Sequence, residues 1–190
     1  MPPHPCQLTD WQSVGAHSRR LYRGDTMTTA SKSRFAKLDV LLVEPTPHMS
    51  TLIVSMLRHL RVHGVDEASP SSAALAQLGQ RKYGAILVDE ALKPMDGIEL
   101  TRALRAAEGP NRDTPVIMMS STPEAARILA ARDAGISEFL RKPFAAQHVE
   151  TRLVSILAAP REFITAGAYA GPDRRRRNVE HKGEERRRGR

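Results

Sequence analysis

Asp89, Ser120 and Lys142 each stand at the end of an apolar run. Asp89 closes Tyr83-Gly84-Ala85-Ile86-Leu87-Val88, Ser120 closes Pro115-Val116-Ile117-Met118-Met119, and Lys142 follows Ser137-Glu138-Phe139-Leu140-Arg141. Open parallel sheets bind ligands at the carboxyl ends of their strands. A carboxylate, a hydroxyl and an ammonium gathered on one such rim suit the uptake of a phosphoryl group. The carboxylate can attack phosphorus and form an acyl phosphate. The transition state spreads negative charge over the equatorial oxygens, so catalysis is mainly positioning and neutralisation. Lys142 can supply a point charge and Ser120 a hydrogen bond. Singly, each residue has a blander reading: an Asp after a strand is most often a turn residue or helix cap, and a lone Ser or Lys there is incidental.

The elements that must position these groups are legible from residue 39 onward. Val40-Leu41-Leu42-Val43 is a short apolar run of the kind found in buried parallel strands. Thr46 as N-cap with Pro47 after it starts a helix, carried by Met49, Leu52, Ile53, Met56, Leu57 and Leu60 and stopped at Gly64. Val65 to Ala68 reads as a weak strand. Ser69-Pro70 opens a second helix that closes at Gly79. The strand at 83–88 follows, then a helix over about 98–107 and the strand at 115–119. Ser121-Thr122-Pro123-Glu124 predicts a further helix start, running to Gly135. A strand at 137–140 and a helix over 145–158, with Val149, Leu153 and Ile156 on one face, complete the series before Pro160. Strict alternation of strand and helix predicts an α/β fold with a parallel sheet covered on both faces.

Charge divides the chain. The net charge is +8, yet residues 1–38 carry six Lys/Arg against two Asp/Glu and residues 173–190 carry nine against four. The stretch between is close to neutral, so the basic character belongs to the ends. Residues 1–38 read as a disordered N-terminal extension, with Met27 an alternative start. Residues 39–158 read as one domain, 159–172 as a linker that could pack back through Phe163 and Tyr169, and 173–190 as a disordered Arg-rich tail. No run is apolar for the ~18 residues a membrane helix needs, and no continuous apolar segment marks a secretory signal. Cys6 is the only cysteine, which excludes an intrachain disulfide or a cysteine-based zinc site. A cytoplasmic protein is expected.

Read in order, "DVLLVE", "AILVDE", "PMDG", "PVIMMSS" and "FLRKPF" resemble the receiver domain of bacterial response regulators, over residues 39–158. The resemblance implies a flavodoxin-like sheet of five parallel strands in the order 2-1-3-4-5. It implies that Asp89 is the phosphoacceptor, that Ser120 and Lys142 bind the phosphoryl group, that Phe139 is the aromatic that changes rotamer on activation, and that Lys142–Pro143 is cis. It further implies Mg²⁺, held by Glu44, Asp89 and the backbone carbonyl of Ala91. The implied partners are a sensor histidine kinase or a histidine phosphotransferase, and a downstream protein target. A stand-alone signalling protein of a two-component phosphorelay is expected, rather than an enzyme or a transcription factor. The 30 residues after Pro160 are too few for a DNA-binding output domain.

The chain departs from the family at Glu44-Pro45, where a pair of acids is usual and the second is commonly a direct magnesium ligand. Proline has no side-chain oxygen to offer, so weakened Mg²⁺ dependence is expected. Ala91 has no side chain to hold an attacking water, which predicts slow hydrolysis of the acyl phosphate. The alternative is a pseudo-receiver adaptor that works by docking, or through its Arg-rich tail on nucleic acid or an anionic membrane. The tail has no interleaved aromatics to stack bases.

Other candidates carry less. His59 and His63 are four apart but lack a third ligand, and solvent-facing histidines are expected. Asp96-Gly97 reads as a helix entry and Met118-Met119 as strand core. No GK[ST] phosphate loop is present.

Overall fold

The computed structural model describes residues 34–122, 124–167 and 169–174. Cys6, Met27 and the rest of 1–33, Pro123, Ala168 and the tail from residue 175 lie outside the described residues, and so do both ends expected to be disordered.

The strands β1 (Asp39–Val43), β2 (Gly64–Ala68), β3 (Ala85–Asp89), β4 (Val116–Ser120) and β5 (Glu138–Arg141) form one sheet in the order β2-β1-β3-β4-β5. Every neighbouring pair is parallel. Between them run α1 (Pro47–His59), α2 (Ser71–Gln80), α3 (Gly97–Ala106) and α4 (Ala125–Ala134), and α5 (Ala146–Ala158) follows β5. This is the topology the motifs implied.

Alternation along β1 explains the two cores. Val40 and Leu42 point to one face and join Ile53, Val54 and Leu57 of α1 and Val149, Leu153 and Ile156 of α5. Leu41 and Val43 point to the other and join Leu78 of α2, Ile98 and Leu104 of α3, and Ala131 and Ala134 of α4. Successive strand side chains face opposite sides, so a strand buried on both faces is apolar throughout.

Two boundaries differ from the sequence reading. The domain begins before residue 39: Phe35 is fully buried and Leu38 nearly so. The Phe35 carbonyl accepts from the N–H groups of Leu38 (3.0 Å) and His63 (3.1 Å), which ties this segment beneath the sheet. The stretch 159–172 is not a plain linker. It contains an antiparallel hairpin of β6 (Phe163–Ala166) and β7 (Tyr169–Pro172) whose second strand packs on α3 and α4. Its attachment is cationic and aromatic. Arg105 and Arg112 lie over the Phe163 ring at 5.8 and 5.6 Å, and Arg174 lies over Tyr169 at 3.7 Å. Arg105 is buried, which pulls its pKa down to about 10. Its guanidinium is satisfied by the carbonyls of Gly135 (3.0 and 3.1 Å) and Arg112 (2.6 Å). Gly135 caps α4 in the left-handed conformation (φ 96°). A β carbon on Gly171 would stand 2.8 Å from the Gly135 Cα, so the hairpin and this cap meet backbone to backbone.

One helix start shifted, and the caps differ in strength. Thr46 is the N-cap of α1 with Pro47 after it, but its side chain makes no capping bond. The helix predicted from Ser121 begins at Ala125, with Glu124 as N-cap and no side-chain cap. Asp96 does cap α3, in a reciprocal box with Glu99 (2.8 and 3.0 Å).

Candidate functional site

Three strand ends converge because the ladder is locked in register. Asp89 pairs with Met119 across β3 and β4, and Ser120 with Arg141 across β4 and β5. The N–H of Glu90 donates to the carbonyl of Met119 (2.8 Å), and that of Lys142 to the carbonyl of Ser120 (2.8 Å). The side chains at 89, 120 and 142 therefore stand on one rim, as the sequence predicted.

Lys142 is the hub. Its Nζ donates to Glu44 Oε2 at 2.6 Å and, at still closer range, to Asp89 Oδ2. Its side chain is only 10% exposed, and those of Glu44 and Asp89 are 1% and 7% exposed. Burial works against the charged amine, but the bonds to Asp89 and Glu44 outweigh it and hold the pKa above its usual value. The second oxygens are also bound: Asp89 Oδ1 accepts from the Ala91 N–H (2.7 Å) and Glu44 Oε1 from the Thr46 N–H (3.1 Å). Pro45 is exposed beside them. Lys142–Pro143 is cis, and so is Lys93–Pro94, which the sequence did not suggest.

Asp89 and Ser120 open into a hollow of about 280 Å³ shared with Ala91, Lys93, Thr122 and Arg127. Ser120 is buried, and its Oγ accepts from the Thr122 N–H (3.2 Å). Phe139 is half-buried and packs against the core on the α2–α3–α4 face, not in the hollow. The amine thus meets the carboxylate, and the carboxylate shares the hollow with the hydroxyl, while the aromatic stands behind them.

Two charged residues of this wall have no counterpart in the sequence reading. Arg127, on the first turn of α4, donates from Nε to Glu90 Oε1 and from a terminal nitrogen to Asp96 Oδ2 (2.9 Å). The Asp96 and Glu90 bonds raise the guanidinium pKa further. Glu90 is buried, directly after Asp89. No local signal marks Arg127, since an arginine early in a helix is ordinarily a solvated residue. Only the fold brings it to residues 90 and 96.

The His63 Nδ1–H donates to Asp39 Oδ1 (2.9 Å) and the ring is largely exposed, and His59 is exposed as expected. No group of three or more His, Cys, Asp or Glu that could hold a metal is found among the described residues. Among the same residues no helix is long and apolar enough to cross a membrane.

The model of the response regulator receiver domain matches residues 40–154. The chain is similar to the chemotaxis protein CheY of Pseudomonas aeruginosa, 29% identical over 119 residues, covering 63% of this chain and 95% of that protein. Its structure resembles the receiver domain of a sensor histidine kinase from Pseudomonas aeruginosa PAO1, crystallised with a magnesium ion coordinated in its active site cleft, at TM-score 0.60 and 29% identity, covering 65% of this chain and 99% of that one. It also resembles a response regulator from Chloroflexus aurantiacus at TM-score 0.60 and 25% identity, covering 64% and 98%.

Proposed function

Because the chain belongs to the response regulator receiver domain family, we propose that it accepts a phosphoryl group on Asp89 and thereby switches a protein-binding surface in two-component signalling. The observation that carries this reading is the contact of Lys142 with Asp89, whose carboxylate shares a hollow with Ser120. A carboxylate oxygen of Asp89 attacks phosphorus, the O–P bond forms, and the N–P bond of a phosphohistidine breaks. The leaving imidazole nitrogen keeps the electron pair. Lys142 leaves its place between the two carboxylates to neutralise one equatorial oxygen, and the Ser120 hydroxyl donates to another. Ser120 drawn toward the phosphoryl group vacates space that Phe139 takes up, which alters the surface around α4 and β5. The partners are a histidine kinase or histidine phosphotransferase on one side and a target protein on the other.

The donor chemistry at the rim fits Mg²⁺. Glu44 and Asp89 bring two carboxylates close enough to share one amine, and hard cations take oxygen ligands. Bound there, with the Ala91 carbonyl as a further oxygen, the ion would neutralise phosphoryl charge. Pro45 leaves that donor set one carboxylate short, and Lys142 competes for both that remain.

Incubation with acetyl phosphate, with and without Mg²⁺, tests the reading by the mass gain of one phosphoryl group. Wild type should be labelled and Asp89→Asn should not. An unlabelled wild type defeats the proposal. Ala91, with no side chain to guide water, should make the label outlast a chase of minutes.

A further inference from the structure

The N-terminal half of α4 has little apolar packing. Its buried residues are Ala131 and Ala134, both near its C-terminal end, while Ile128 and Leu129 are exposed. What ties its first turn to the domain is Arg127, through Glu90 and Asp96. This guanidinium lines the same hollow as Asp89 and Ser120. Glu90 directly follows the carboxylate that is to carry the phosphoryl group.

We propose that Arg127 is a second phosphoryl-binding cation, held on Glu90 and Asp96 in the unmodified protein and transferred to the phosphoryl oxygens once Asp89 is modified. This deepens the proposed function and rests on it. Three features favour the transfer. A guanidinium presents a planar fork that matches phosphoryl oxygens, and a phosphoryl dianion gathers on one group the charge that Glu90 and Asp96 supply separately. Arg127 is 40% exposed, so its side chain has room to swing, and the attraction of the phosphoryl charge must offset the loss of its bond to buried Glu90. Asp96 keeps its capping bond to the Glu99 N–H through Oδ1 when Oδ2 is released. Pro45 adds a need: with one carboxylate missing from the metal side, more of the neutralisation falls to side-chain cations. Transfer leaves Glu90 behind, so Glu90 is the competitor for the guanidinium. It also frees the first turn of α4, next to exposed Ile128 and Leu129.

The test compares Asp89 labelling rates from acetyl phosphate in the full chain. Arg127→Ala should slow labelling about tenfold, the worth of one charge-assisted hydrogen bond, and Arg127→Lys should restore part of it. Glu90→Gln should speed labelling about threefold by weakening the competitor. A merely structural role predicts otherwise: both variants remove the Arg127–Glu90 ion pair, so both rates would move in the same direction. Circular dichroism of each variant checks that the fold is retained. Same-direction shifts, or no shift, with wild-type label lost in Asp89→Asn, overturn the assignment of Arg127 and leave the proposed function standing. An unlabelled wild type overturns both.

Discussion

Gly97 packs against the main chain of Asp89 with no room for a side chain. A β carbon there would meet the Asp89 carbonyl oxygen and stand 3.1 Å from the Glu90 Cα. The Gly97 N–H meanwhile donates to the Glu90 carbonyl (2.9 Å). The start of α3 is thus fitted directly onto the residue that carries the chemistry.

Gly97→Ala should therefore push the backbone at 89–90 aside. Overpacking of this kind costs about 1–3 kcal/mol, read as a lowered urea midpoint. Labelling of Asp89 by acetyl phosphate should slow in parallel. A variant with wild-type midpoint and wild-type labelling would contradict the close fit.

Lys142→Met would leave Glu44 and Asp89 buried without their shared cation. Breaking a buried pair this way costs about 3–5 kcal/mol, measurable at pH 7 by chemical denaturation. The Lys142 amine is held above its ordinary 10.5. Its contribution is therefore complete below that pH and is lost as pH rises through the higher folded value. Wild type should lose stability on that alkaline limb, and the variant should lack this component.

Pro45→Asp would return a carboxylate to the rim. Its Coulomb attraction at an effective dielectric near 20 should tighten Mg²⁺ binding by about tenfold or more. Calorimetric titration of the unmodified chain reads this without any phosphodonor. Equal affinity in both proteins would show that position 45 does not reach the ion.

Asp96 lies below the ordinary carboxyl value of 3.8: burial pushes it up, but the Glu99 N–H and Arg127 outweigh that. Asp39 and Asp113 are lowered too, chiefly by hydrogen bonds to His63 and Lys82. Groups lowered on folding stabilise fully above 3.8, and that stability is lost as pH falls through their folded values. Asp96→Ala should lose about 1 kcal/mol of capping at neutral pH and show a shallower acid limb. Urea midpoints measured from pH 7 to pH 2 check both.

The parallel sheet and the convergence of Asp89, Ser120 and Lys142 were legible from runs and their ends, while the strand order came only with the family resemblance. Asp96 as a helix entry was legible as well, from a capping residue before an apolar period. What escaped has no local period. The hairpin at 163–172 has short strands interrupted by Gly167 and closed by Pro172, and its hold depends on Arg105 and Arg112, far away in the chain. Phe35 is a single aromatic among polar neighbours, buried by contacts with residues near 60. Arg127 and Glu90 meet across 37 positions, a distance that no spacing rule spans.

The hairpin also decides where Arg174 is held. Arg174 is paired with Asp133 at the end of α4 (2.9 Å), beside the start of β5. Asp89 lies at the opposite, carboxyl ends of the strands. A fluorophore or cargo joined at residue 174 would consequently sit at the floor of the molecule. It would register what happens on the roof only if the whole body carries the message down.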